Sequence, residues 1–175
     1  LAVALEAGIP DEAARTALQS FSGVKRRFQC TGQWNGVSIY DDYGHHPAEI
    51  SAVLSAAKAG ARGRIVAIVE PHRYTRVRDL FDDFCSCLKN ADKVIVAPLY
   101  SAGEPKIEGI DHHSLAEGIR SKGHQSVNSI DSPSEMVPIL RSTCTSGDMV
   151  LCFGAGNSTE WAASLPNWLS ALAAE

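Results

Sequence analysis

Apolar residues follow a helical period in the first part of the chain and a strand period later. Residues 2–7 and 11–20 read as two short helices parted by Gly8-Ile9-Pro10, with Asp11 and Glu12 placed where a helix N-terminus favours negative charge. From Phe28 the pattern changes. Residues 28–31 and 37–41 are β-prone and flank Asn35-Gly36, a pair that tolerates the positive φ of a tight turn, so an antiparallel hairpin is expected. Short apolar runs at 65–69, 94–97, 126–128 and 149–153 then alternate with helical stretches at 46–59, 76–88, 113–121, 134–141 and 159–174. Strands this short and apolar, separated by helices, predict a mostly parallel sheet covered on both faces. The expected fold is α/β, a Rossmann-like, mostly parallel sheet with one antiparallel N-terminal hairpin strand. The change of pattern near Ser22-Gly23 places a domain boundary there, giving residues 1–22 and 23–175.

Composition narrows this picture. A chain of 175 residues and 18.7 kDa is expected to fold to a surface of about 8,000 Å² and to support a core of its own. With 16 Lys+Arg against 20 Asp+Glu, the net charge of −4 offers no general footprint for nucleic acid or an anionic membrane. Five cysteines without a CxxC spacing fit a reducing compartment, so the cytoplasm is expected. No apolar run approaches the roughly 18 residues that span a bilayer. The chain starts at Leu1 inside a predicted helix, so it is expected to be a piece of something longer.

Ligands of open α/β sheets gather beyond the carboxyl ends of the parallel strands. There the sequence places Asp41-Asp42-Tyr43-Gly44-His45-His46-Pro47, too polar for a core, in which Asp41, Asp42 or His46 could equally cap the next helix. Glu70-Pro71-His72-Arg73-Tyr74-Thr75-Arg76-Val77-Arg78-Asp79 follows the run 65–69 and brings three arginines, whose planar forks suit a carboxylate or phosphate. On a helix face Arg76 and Arg78 could instead pair with Asp79, Asp82 or Asp83, a reading that suits Arg78 best. Lys25-Arg26-Arg27 precedes the hairpin; neighbours on a strand or turn diverge, so at most some of the three face one ligand. Gly154-Ala155-Gly156-Asn157 opens the last helix, where free N–H groups attract anions. It is not a dinucleotide fingerprint, because Thr159 stands where the third glycine belongs.

Other chemistries are set aside. His45-His46 and His112-His113 lack the i, i+4 spacing of helical zinc ligands and suggest no third ligand, so no metal site is expected. Cys85 and Cys87 would point about 200° apart on a helix and read as core residues. Neither a GxSxG elbow nor a GxxxxGK[ST] phosphate loop is present. From these residues alone, a self-contained nucleotide- or metabolite-binding module and an interaction domain both remain open.

Taken in order, Gly23-Val24-Lys25-Arg26-Arg27-Phe28, Asp41 to Pro47, Pro71-His72-Arg73-Tyr74-Thr75-Arg76 and Gly154-Ala155-Gly156-Asn157 resemble the C-terminal domain of the Mur ligases. Within that family they are most similar to the members that join L-alanine to UDP-N-acetylmuramate in peptidoglycan synthesis. The resemblance implies ATP-dependent amide formation through an acyl phosphate. It implies that Tyr43, His45, His72, Arg73 and Arg76 form the L-alanine site, with Arg73 or Arg76 on the carboxylate. Asp42 would meet the ATP ribose, and Arg26 or Arg27, with Arg27 favoured, would approach the nucleotide on domain closure. Residues 1–22 would be the helical tail of the central ATPase domain. By the same resemblance the phosphate loop, the Mg²⁺ ligands and the UDP-sugar site lie in the N-terminal and central domains. The 175-residue piece is therefore expected to bind no cofactor and to be inactive alone.

Overall fold

The computed structural model describes residues 2–21 and 23–171. Helices α1 (Ala2–Glu6) and α2 (Asp11–Ser20) come first, followed by strands β1 (Gln29–Trp34) and β2 (Val37–Asp42). Alternation then sets in with α3 (Pro47–Gly60), β3 (Ile65–Val69), α4 (Tyr74–Asp79), α5 (Phe81–Cys87), β4 (Lys93–Val96), α6 (His112–Ser121) and β5 (Val127–Ser129). A 3₁₀ turn (Pro133–Glu135), α7 (Met136–Thr143), β6 (Met149–Phe153) and α8 (Ser158–Ala171) complete it.

One six-stranded sheet has the order β1-β2-β6-β3-β4-β5. Only the β1–β2 hairpin is antiparallel; every other pairing is parallel. Alternate residues of the buried strands feed two cores. Ile65, Ala67, Val69, Leu151 and Phe153 pack under α3, α5 and α6, while Val66, Ile68, Val150 and Cys152 pack under α7 and α8. This is the expected three-layer sandwich.

Two departures have local causes. The single helix expected at 76–88 breaks at Leu80 (φ −119°, ψ 25°). The restart places Asp82 and Asp83 in the first turn of α5, where the helix dipole favours acids that a continuous helix would hold mid-span. In α8, Pro166 lies inside the helix and cannot donate to the carbonyl of Ala162. Thr31 of β1 supplies the missing donor, its hydroxyl lying 2.8 Å from that oxygen. The close approach of the two elements requires Gly32, since a Cβ there would stand 2.7 Å from the Pro166 ring.

The exposed surface is 9277 Å², larger than the expected value. The excess has a visible source in α1 and α2, which bury only Ala14 and leave Val3, Leu5, Ile9, Leu18 and Phe21 exposed. The expected boundary at residue 22 falls outside the described residues, as does the predicted last turn of the C-terminal helix. Cys85, Cys87, Cys144 and Cys152 are buried and all five thiols are free. Burial pushes the Cys85 and Cys87 thiols up to about 11 and about 12, which keeps both protonated and inert. Among the described residues no helix is long and apolar enough to cross a membrane.

Candidate functional site

Parallel pairing aligns Asp42 with Phe153 and Phe153 with Val69. The loops that leave β2, β6 and β3 therefore start side by side. After β3 the chain crosses to the α4–α5 face, and after β6 it crosses to the α8 face. The crevice between them is where open sheets bind ligands.

Hydrogen bonds tie the loops into one unit. Tyr43 N–H donates to the Arg26 carbonyl at 2.7 Å, and Phe28 N–H donates to Asp42 Oδ2 at 2.8 Å. The Arg26 guanidinium donates to the Gly154 carbonyl at 2.9 Å, lies over the Tyr43 ring at 4.7 Å and stands 3.7 Å from the Asp41 carboxylate. Arg26, Phe28 and Arg73 adopt φ of 60°, 48° and 72°, a region costly for side-chain-bearing residues and concentrated at functional loops.

Both the expected ribose contact and the expected anion-binding turn have partners inside the fold. Asp42 is engaged within its own loop. It is 2% exposed, and its two oxygens accept from Phe28 N–H and Gly44 N–H, so it braces the loop. A Cβ on residue 44 would stand 2.8 Å from Asp42 Oδ1, hence glycine there. The N–H groups of the Gly154 turn are likewise not free for an anion. The Glu70 carboxylate fills the turn, accepting from Gly156, Asn157 and Ser158 at 3.1, 2.9 and 3.2 Å. Burial raises the pKa of Glu70 against the lowering effect of those three N–H groups. Asp41 is also raised by burial, partly offset by Thr159 and Arg26.

The expected amino-acid residues do converge. Ring centroids step from Tyr43 to His45 (5.1 Å), from His45 to His72 (5.6 Å) and from His72 to Tyr100 (5.3 Å). His45 Nδ1 lies 2.9 Å from the Tyr43 carbonyl, which can only accept, so the neutral ring carries its proton on Nδ1 and has its lone pair on Nε2. His72 has the opposite tautomer. Its Nδ1 faces an Arg76 N–H at 3.2 Å and must accept, leaving Nε2–H as a donor. Burial, then the Arg76 charge, lowers the His72 pKa to about 4. The two arginines differ as well. Arg73 is paired with Glu104 at 3.3 Å, and Glu104 is held in turn by the N–H and hydroxyl of Thr75. Among the described residues Arg76 donates to the neutral His72 ring and to the His72 carbonyl, so most of its N–H groups are uncommitted there. Of Arg27, Arg73 and Arg76, only Arg73 is thus held by an acid among the described residues.

Glu70, Tyr100 and Glu104 are parts of this site that sequence reasoning missed. Tyr100 was within reach of the strand-end rule, since it follows β4, and a Cβ on Gly156 would meet its ring at 2.7 Å. Arg78 pairs with Asp79 as expected, and His46 caps α3 in a capping box with Glu49.

Two predictions follow from these contacts. Between pH 6.5 and about 4, the unfolded chain binds a proton at His72 that the folded chain refuses, so stability falls as pH drops through that window and is fully retained above it. Urea unfolding across this range should give a shallower acid-side loss for His72→Gln; parallel curves would contradict the burial of a neutral imidazole. Arg26→Ala should lose about 1–3 kcal/mol, because the Gly154 carbonyl and the Asp41 carboxylate lose their partner. Arg27→Ala, on an exposed side chain, should stay within about 0.5 kcal/mol by the same measurement.

The domain is thus an α/β sandwich with an edge hairpin, whose strand-end loops gather arginines and histidines beside a buried carboxylate. The chain belongs to the Mur ligases: residues 26–156 match the family's model, described as Mur ligase, glutamate ligase domain. It is 54% identical over 172 residues to the UDP-N-acetylmuramate--L-alanine ligase of Methylorubrum extorquens, covering 98% of this chain and 37% of that protein. It is 53% identical over 172 residues to the ligase of the same name from Bradyrhizobium diazoefficiens, again covering 98% and 37%. Its fold is similar to that of UDP-N-acetylmuramate-alanine ligase MurC from Thermotoga maritima, with a TM-score of 0.78 at 24% identity, covering 97% of this chain and 36% of that one. The chain spans little more than a third of the length of these relatives.

Proposed function

We propose that this chain is the amino-acid-binding and closing module of an ATP-dependent cytoplasmic ligase that joins L-alanine to UDP-N-acetylmuramate in peptidoglycan synthesis. The observation that carries the reading is the convergence of Tyr43, His45, His72 and Arg76 at one crevice, in a chain 54% identical to ligases of that name. On this reading residues 1–22 are the tail of a preceding ATPase domain, and the apolar side chains exposed on α1 and α2 meet the rest of it.

The chemistry follows from the tautomers. Arg76 takes the L-alanine carboxylate through its free N–H groups, a charge-assisted pairing. That places the amine toward the imidazoles. His45 Nε2 carries the lone pair able to accept an amine proton, whereas His72, with its proton on Nε2 and a pKa of about 4, orients without acting as a base. The amine then meets an acyl phosphate held by the other domains, and the rate gain is one of positioning. Arg27 is exposed and free of an ion pair among the described residues, whereas Arg26 is spent on Gly154, Asp41 and Tyr43. This supports Arg27 as the residue that reaches the nucleotide on closure.

Mg²⁺ does not fit the residues present. Asp41, Asp42 and Glu70 are buried and engaged with Thr159, Arg26 or backbone N–H groups, and Glu104 is held by Arg73 and Thr75. An octahedral oxygen site for the ion therefore belongs to another part of the protein.

The test is phosphate release by the full-length protein, with each substrate omitted in turn. Release is expected only with ATP, UDP-N-acetylmuramate and L-alanine together. Release independent of L-alanine, or micromolar nucleotide binding by residues 1–175 alone, would favour a self-contained binding module instead.

A further inference from the structure

Away from the crevice, at the β5 edge of the sheet, the fold supplies the third group that the His112-His113 pair lacks in sequence. His112 and His113 are the first two residues of α6, and Asp131 lies two residues beyond the end of β5. His112 Nε2 and His113 Nε2 each stand 3.0 Å from Asp131 Oδ1, and the two rings are 3.9 Å apart. The ligand atoms of all three side chains lie within 4.8 Å of one another. Bonds of about 2.0–2.1 Å to a tetrahedral zinc ion place its ligands about 3.3 Å apart, so each imidazole–carboxylate contact needs to open only slightly.

We propose that His112, His113 and Asp131 form a binding site for a divalent transition metal ion of the zinc class. Two imidazoles with one carboxylate suit zinc, nickel or copper, whereas Mg²⁺ and Ca²⁺ require oxygen-rich shells. A third observation points the same way. His113 Nδ1 lies 3.1 Å from Ser129 Oγ, the contact that fixes the ring of a metal-ligating histidine and leaves Nε2 for the ion. The Ser129 hydroxyl can donate to Nδ1 in the metal-free protein and accept from Nδ1–H once the ring exchanges its proton, through solvent, to the tautomer that leaves the Nε2 lone pair for the metal. The Asp111 carboxylate is not available as a fourth ligand, since it caps α6 by accepting from Ser114 N–H. The positive end of α6 opposes a cation only weakly compared with three coordinate bonds. With the side chains of His113 and Asp131 52% and 73% exposed, the fourth position faces solvent, open to water or to a donor from another molecule. The bound ion would clasp the start of α6 to the loop after β5.

The test is a calorimetric titration of zinc chloride into the chain carrying Cys30→Ser, which removes the exposed thiol. One equivalent should bind, and the Tm should rise with free zinc by mass action, whereas magnesium chloride should do neither. His113→Ala and Asp131→Ala each remove a ligand from the surface and should weaken zinc binding at least about tenfold, with Ser129→Ala weakening it less. Thermal unfolding without zinc checks that each variant is folded. Absence of saturable binding, or binding that persists unchanged in both ligand variants, would overturn the proposal.

Discussion

Arg76→Ala in the full-length ligase is expected to raise the KM for L-alanine about 10- to 100-fold, the loss of one charge-assisted pairing worth about 1.5–3 kcal/mol. The KM values for ATP and UDP-N-acetylmuramate should barely move. The structure assigns the large effect to Arg76 because, among the described residues, its guanidinium hydrogen-bonds to a neutral imidazole and a carbonyl and to no acid. Arg73→Ala should cost less, since Glu104 already occupies that guanidinium and an alanine carboxylate would have to compete for it. Arg76→Lys keeps the charge but loses the fork, so an intermediate KM is expected. Steady-state kinetics with each substrate varied in turn decides the matter. Equal increases for L-alanine and for the UDP-sugar would remove Arg76 from the amino-acid site.

Glu70→Ala is expected to cost about 3–5 kcal/mol of stability. It strands three backbone N–H groups around an emptied, buried carboxylate position, and breaking a buried charged network at one end carries a penalty of that size. For a domain of this length the Tm should fall by roughly 6–20 °C, at about 2–4 °C per kcal/mol. Glu70→Gln retains one acceptor oxygen and should lose less. Scanning calorimetry of the isolated chain measures both, and an unchanged Tm for Glu70→Ala would mean that water replaces the carboxylate without loss. Because the Gly154 carbonyl on the same turn receives Arg26, the full-length variant should also lose activity at temperatures where it remains folded.

Local signals carried most of the architecture. Runs 65–69 and 149–153 match their strands to the residue, because a strand buried on both faces must be apolar throughout and must end where polar residues begin. Asn35-Gly36 forms the turn of the β1–β2 hairpin for the same local reason, with both residues at positive φ. Boundaries failed where competition was electrostatic, as at Leu80, or where a 3₁₀ turn opens a helix, as at Pro133.

The site was legible as a set of loops and not as a set of partners. Strand-end position singled out the two loops, the family resemblance named Tyr43, His45, His72 and Arg76 within them, and the structure brings these four together. The same rule would have reached Tyr100 had the loop after β4 been weighed. Glu70 was different in kind. It stands in plain view after β3, but the N–H groups it serves lie 86 to 88 residues further along the chain. Asp131 likewise lies 19 residues from His112, so neither histidine signals its third partner by spacing.

Sequence alone determined the α/β alternation, the hairpin, the buried strands and the family, because each is written in short-range periodicity or in contiguous motifs. Tertiary structure decided which charges are free. Strand order sets β6 between β2 and β3, and that placement sends Glu70 into the Gly154 turn, Arg26 onto Gly154 and Asp42 into its own loop. Two of the three arginines in the loop after β3 sit beside acids, Arg73 on Glu104 and Arg78 on Asp79. A side chain is available to a ligand only when no internal partner satisfies it. That is a property of contacts made across the sheet, which residue type and spacing do not encode.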